Sequence, residues 1–159
     1  MQTGNVREQA LMELAGRLRA MNLWFHGAHH LTKGTGFSGD HVNLYGTIYT
    51  GIGDSIDGTI EKAIGLSGCE GVACPVSIAS CALEHLHTYQ SPVDCNALAI
   101  AAAGKKIIED HLQFLDGTYK VLKSQRLLTL GLDDFIMAQA NTFETYLYLL
   151  GQRVKAELD

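Results

Sequence analysis

The chain has 159 residues, the length of one ordinary domain, and 47% of them are apolar, enough to bury a substantial core. No run reaches the ~18 consecutive apolar residues of a membrane-spanning helix. The polar start Met1-Gln-Thr-Gly-Asn-Val-Arg-Glu has no apolar signal stretch, so a soluble, cytoplasmic protein with no membrane partner is expected. A net charge of −5 with scattered Lys and Arg argues against a dedicated nucleic-acid binder, which would carry a basic stripe or tail.

Only two prolines, Pro75 and Pro92, interrupt the chain, which leaves room for long helices. Over residues 6–30, Leu11, Leu14, Leu18, Met21 and Phe25 recur every three or four positions and predict an amphipathic helix. Lys33-Gly34-Thr35-Gly36 ends it, and Ser38-Gly39-Asp40 offers capping side chains for a second helix over 41–66. Its apolar stripe is Leu44/Tyr45, Ile48, Ile52, Ile56 and Ile60. Gly46, Gly51, Gly53 and Gly58 are among the residues inside it, each costing about 1 kcal/mol against alanine. Gly46, Thr50, Gly53, Asp57 and Glu61 share one face, and such a face suits a closely packed neighbour or a ligand.

Residues 67–92 form a long connection, with a loop at Gly68-Cys-Glu-Gly-Val-Ala-Cys-Pro75 and a short helix between Val76 and Thr88. A third helix is predicted over 93–124, with the stripe Ala97, Ile100/Ala101, Ile107/Ile108, His111, Leu115, Tyr119 and Leu122. A fourth runs over 132–158 through Phe135, Ile136, Gln139, Phe143, Tyr146/Leu147 and Leu150, with Asp133 and Asp134 at its positive N-terminus. The whole of 1–159 therefore reads as one all-α domain. It is a ferritin-like four-helix bundle in which a long crossover carrying a short helix makes helices two and three parallel.

Several clusters could carry chemistry. Four of the seven histidines, His26, His29, His30 and His41, fall within 16 residues just ahead of Asp57 and Glu61. His29 continues the apolar stripe four past Phe25 and points into the bundle, whereas His26 and His30 lie on a flanking face. Asp57 and Glu61, four apart, project from one helical face; on a solvent face they would be a mildly repulsive acidic edge. Imidazole with carboxylate is a donor set suited to ferrous iron. Glu84 and His87 have the Glu-x-x-His spacing of di-iron bundles, but residues 132–158 contain no histidine to complete such a site, so Glu84, His85 and His87 are assigned to a surface crossover helix. His111, beside Glu109 and Asp110, is read as a hydrogen-bonded core residue. The cysteines Cys69, Cys74, Cys81 and Cys95 show no close Cys-x-x-Cys pair and read as small buried residues.

The stretch His29-His-Leu-Thr-Lys33-Gly34-Thr-Gly-Phe37-Ser-Gly-Asp-His41, followed by Asp57-x3-Glu61 and Ala63-Ile64-Gly65, resembles the pattern of Dps-type miniferritins, DNA-binding proteins from starved cells. The resemblance extends as topology over nearly the whole chain. It implies that His29, His41, Asp57 and Glu61 are metal ligands and catalytic residues of a ferroxidase. These would oxidise Fe(II) with peroxide or dioxygen and store ferric iron inside a hollow homo-dodecamer, a function tied to oxidative stress. It further implies that the histidines come from one subunit and the carboxylates from another across a two-fold axis. The pattern departs from the family in three places, as a divergent, phage-encoded member would. The His41–Asp57 segment is one residue longer; Tyr45, or Gly46 after the insertion, stands where a further Asp is expected; and His30 replaces the usual Trp. His30, Asp40 and Asp54 are substitute ligand candidates. The rival expectation is a non-enzymatic shell, or a DNA-associated particle, with a degenerate metal site.

Overall fold

The computed structural model describes residues 6–155. Helix α1 spans Val6–Leu31. After a turn at Gly34 (φ +89°), a continuous helical rod follows, made of α2 (Phe37–Gly39), a π-helical segment (Asp40–Gly46) and α3 (Thr47–Ser67). The crossover carries a short 3-10 turn (Glu70–Ala73) and α4 (Pro75–Leu86), and α5 (Ala97–Ser124) and α6 (Leu130–Lys155) complete the bundle. The fold is all-α, a four-helix bundle with a helix-bearing crossover between its second and third long helices. Among the described residues no helix is long and apolar enough to cross a membrane.

The apolar stripes meet in one core. Leu11, Leu14, Leu18, Met21 and Phe25 of α1 pack with Ile48, Ile52 and Ile56 of the rod, Ile100, Ile108 and Leu115 of α5, and Ile136, Phe143 and Leu150 of α6, all essentially without solvent contact. Each such side chain contributes roughly 1.5–3 kcal/mol on burial. Helix directions follow from contacts at the ends. Arg7, at the start of α1, donates to the carbonyls of Leu66 (3.1 Å), which closes α3, and Leu127 (3.4 Å), just past α5. The rod and α5 therefore run parallel to one another and antiparallel to α1, and one guanidinium takes a carbonyl that the end of α3 leaves open and another in the turn after α5. Close packing accounts for part of the glycine content: a Cβ on Gly51 would overlap the Tyr146 hydroxyl of α6, and one on Gly58 would press on Phe135 at 3.1 Å.

Three helix starts differ from the sequence reading, each for a local reason. The second helix begins at Phe37 rather than at His41, because Phe37 N bonds Gly34 O and Asp40 N bonds Gly36 O directly out of the glycine turn. The carboxylate of Asp40, instead of capping, is buried in an ion pair with Arg153 of α6 (Nε–Oδ1 2.9 Å, Nε–Oδ2 3.1 Å). The third helix starts at Ala97 rather than 93, because Asp94 adopts φ +59° and Asn96 caps the helix, accepting from Ala99 N at 2.8 Å. The fourth starts at Leu130 rather than 132, with the Thr129 hydroxyl accepting from Leu132 N at 3.1 Å. Its expected last residues, 156–158, lie outside the described residues. Gly68 (φ +67°) ends α3 in the left-handed conformation that an L side chain resists.

Candidate functional site

His29 closes the last turn of α1, and His41 lies inside the π segment across the glycine turn. A π winding bonds i to i+5 and so accommodates one extra residue in the rod. Asp57 and Glu61, beyond the π segment, fall on regular α-helix. The two imidazoles stack face to face, centroids 3.6 Å apart and planes 16° apart. Each Nδ1 is bonded to the other residue's backbone carbonyl: His29 Nδ1 to His41 O at 2.5 Å, and His41 Nδ1 to His29 O at 2.6 Å. A carbonyl can only accept, so both Nδ1 atoms carry the proton, and the lone pair of each neutral ring is on Nε2. Outer hydrogen bonds of this kind fix the tautomer and orientation of metal-binding histidines.

Gly46 is what permits this packing. A Cβ at position 46 would stand 2.9 Å from His41 O, the acceptor of the His29 bond, too close to fit without a shift, and 3.5 Å from His29 Nδ1, an ordinary contact. Aromatic rings enclose the stack: Phe37 lies on His41 (centroids 5.0 Å), and Tyr49 stands at 5.1 Å from His29 and 4.6 Å from His26. Tyr49 is held in turn by Asn22, whose side-chain amide donates to its carbonyl at 2.8 Å. His26 and His30 are exposed and pair with each other, Nε2 to Nε2, at 3.2 Å.

Asp57 and Glu61 are exposed on α3 and do not meet the histidines within the chain. Asp57 is sixteen residues along the rod from His41, roughly 24 Å at helical rise. Of the substitute ligands, Asp40 is buried and committed to Arg153, and His30 is paired with His26. Asp54 is exposed, and Tyr45 is a fully buried core residue whose phenol burial holds well above its ordinary ionisation range, so it cannot replace a carboxylate.

Sequence reasoning missed another group entirely. His85 of α4, assigned above to a surface, is half-buried against α1, where its Nε2 meets Glu13 Oε1 at 2.7 Å and Cys81 Sγ donates to Glu13 Oε2 at 3.4 Å. Among the described residues, Glu13, Cys81 and His85 form the one group of three metal-ligating side chains whose donor atoms all lie within 4.8 Å of one another. His111, as expected, is a core residue: its Nε2 faces Gln139 Oε1 at 3.4 Å, and burial lowers its pKa to about 3.

The crystal structure of a Dps protein from Bacillus brevis matches this chain over 100% of both, with a TM-score of 0.79 and 17% sequence identity. The fold is Dps-like. At that identity the likeness lies in the path of the backbone, and the resemblance drawn from the His29–Glu61 pattern and the match in structure agree on the same architecture. No protein-family model matches the sequence, and no curated protein matches it either.

Proposed function

We propose that the protein binds and oxidises ferrous iron at a site shared between two subunits, with His29 and His41 from one and Asp57 and Glu61 from the other. The observation that carries this reading is the reciprocal pair of Nδ1–carbonyl bonds, which orients the two imidazoles and leaves Nε2 of each as the ligating atom. Imidazole and carboxylate together suit Fe(II) and leave positions open to an oxidant. Iron is the substrate: two ferrous ions each give one electron to a peroxide, or four to dioxygen, and the ferric product is stored as mineral.

A single bundle encloses no space for a mineral, so storage requires a hollow homo-oligomer, and the family resemblance points to twelve subunits. The separation along the rod gives a reason for a shared site. Asp57 cannot fold back on His41 of its own chain, but a two-fold axis that sets two rods antiparallel brings the His41 end of each beside the Asp57 end of its partner, and makes two equivalent sites. Phe37 and Val42, 41% and 59% exposed at the histidine end, are apolar surface that such an interface would cover.

The test is His41→Ala combined with Asp57→Asn. Ferrous oxidation by the double variant should fall on the order of 100-fold with assembly intact; oxidation at the unaltered rate would show the assignment to be wrong. Co-assembly of the two single variants distinguishes a shared site from a private one. A mixed pair contains one site with an intact His41 and an intact Asp57 only if the ligands come from different chains, so partial recovery on mixing is expected.

One observation favours a second reading, a ferritin-like shell without oxidation chemistry. Tyr45, or Gly46 after the insertion, occupies the position where the resemblance calls for a further Asp; neither supplies a carboxylate, and Asp40 is engaged by Arg153. Such a shell would assemble normally and oxidise iron no faster than buffer. Binding of DNA, the other trait implied by the resemblance, would have to overcome a net charge of −5, and a gel shift at low salt tests it because nonspecific binding is electrostatic.

A further inference from the structure

The crossover helix α4 lies on α1 at one unusually close point. A Cβ on Gly16 would fall 2.2 Å from Cys81 Sγ and 2.6 Å from Cys81 Cβ, so only a glycine at 16 lets the cysteine seat against α1. One turn along α1, Glu13 projects to the same place, and one turn along α4, so does His85. Sulfur, nitrogen and oxygen donors from three residues thus converge from two helices.

We infer that Glu13, Cys81 and His85 form a binding site for a zinc-type divalent cation, separate from the iron chemistry. Thiolate, imidazole and carboxylate are the donors zinc takes, and three protein ligands with a fourth position open is a common arrangement for it. With metal–ligand bonds of about 2.0–2.3 Å, tetrahedral donors stand roughly 3.3–3.7 Å apart. Cys81 Sγ stands 3.4 Å from Glu13 Oε2 and His85 Nε2 2.7 Å from Glu13 Oε1, and one donor atom of each residue lies within 4.8 Å of the other two, so small side-chain rotations bring the three to tetrahedral spacing. A groove of about 360 Å³, lined by Gln9, Met12, Glu13, Ser77, Cys81 and Glu84, leads to the cysteine and the carboxylate. It gives the ion an approach and leaves the fourth position to water or to Glu84.

The metal-free group shows the hydrogen bonds that metal would replace. Burial and then the adjacent Glu13 carboxylate push the Cys81 thiol up to about 11, so the sulfur is protonated and donates to Glu13. Burial would raise the Glu13 carboxyl too, but His85, the Cys81 thiol and Arg17 outweigh it and hold the group below the usual carboxylate range. On metal binding the thiol proton leaves to solvent and sulfur takes the metal in its place. Arg17, 3.3 Å from Glu13 Oε1, also rests on the Phe114 ring at 4.2 Å, so it keeps a partner when the carboxylate turns to a cation. The site lies sixteen residues from His29 along α1, about 24 Å, and shares no ligand with the His29–His41 stack.

The experiment uses the assembled full-length protein and cobalt(II) as the spectroscopic stand-in for zinc. A near-ultraviolet thiolate-to-cobalt band should appear at one ion per chain, vanish in Cys81→Ser, and weaken at least tenfold in apparent affinity in His85→Ala and in Glu13→Gln. It should survive unchanged in the His41→Ala/Asp57→Asn variant, so the two sites stand or fall separately. In the unaltered protein, zinc should protect Cys81 from iodoacetamide while Cys69, Cys74 and Cys95 keep their reactivity, as read by peptide mass. This second measurement needs no substitution and decides the matter if Cys81→Ser does not fold. Absence of a thiolate band, a band that persists without Cys81, or alkylation of Cys81 indifferent to zinc would each overturn the site and leave a hydrogen-bonded clasp between α1 and α4.

Discussion

The two ends of the 37–67 rod carry the two halves of the proposed iron site, and they are built differently. At the His41 end the backbone itself is altered: a π turn, a glycine without room for a Cβ, a buried Asp40–Arg153 pair and reciprocal ring-to-carbonyl bonds hold two imidazoles in one pose. At the Asp57–Glu61 end the helix is regular and both carboxylates stand in solvent. One half is pre-organised by its own chain; the other, under the proposed shared site, would gain its fixed geometry from a neighbour. Ordering the histidines ahead of binding lowers the entropic cost of assembling a site from two subunits.

The largest effect that separates the two ends is on stability. Asp40→Ala removes a carboxylate ion-paired with Arg153 in a site where the two side chains are only 6% and 15% exposed. Breaking such a pair costs about 3 kcal/mol, equivalent to roughly 10 °C in the thermal midpoint of a chain this long. Asp57→Asn, on the exposed face, should stay within about 0.5 kcal/mol of the parent. Thermal melting of the two variants side by side checks this, and equal losses would remove the distinction between the ends.

A smaller effect sharpens the same contrast within one helix face. Gly46→Ala places a methyl against His41 O and the His29 ring, and should reduce ferrous affinity about tenfold by tilting the stack, as loss of outer-shell support does. At Gly53 the nearest atom to an added Cβ is Asn22 Nδ2 at 3.8 Å, ordinary contact. Gly53→Ala should therefore leave iron binding alone and gain up to about 1 kcal/mol from helix propensity. Iron titration together with urea unfolding of both variants reads the two quantities; an unperturbed Gly46→Ala site would show that the reciprocal bonds do not set the ligand pose.

The bundle was legible because its stripes repeat every three or four residues from Leu11 to Leu150 and few prolines or loops compete with that period. Helix starts were less so. Ser38-Gly39-Asp40 has the composition of a cap, yet Asp40 is drawn into the core by Arg153, 113 positions later, which no local pattern reveals. The π segment had no compositional signature, because a bulge changes count before it changes composition. The glycines on the rod suggested close approach, and Gly46 and Gly51 meet side chains from α1 and α6 respectively. Glu13, Cys81 and His85 had no sequence signature at all. Their spacing of 68 and 72 residues exists only once α4 has folded onto α1.

The core offers the complementary test, a histidine whose role is packing rather than ligation. His111 lies between α5 and α6 against Phe143 (centroids 4.4 Å) and is 1% exposed. Burial favours its neutral form and lowers its pKa from 6.5 to about 3. An unfolded chain takes up a proton at this residue as pH falls through about 6.5, while the folded chain does not until about 3. The contribution of His111 to stability is therefore complete above pH 6.5 and is lost as pH falls through the window between those values, by at most about 1.4 kcal/mol per pH unit. Urea unfolding of the parent and of His111→Gln at pH 7, 6 and 5 isolates the term as the difference in slope, since other titrating groups are common to both. The variant will be less stable at pH 7, having lost the packing against Phe143, and should lose less on acidification, so the two curves converge toward low pH. Parallel curves would mean that His111 is protonated in the folded protein and that burial does not hold its pKa down.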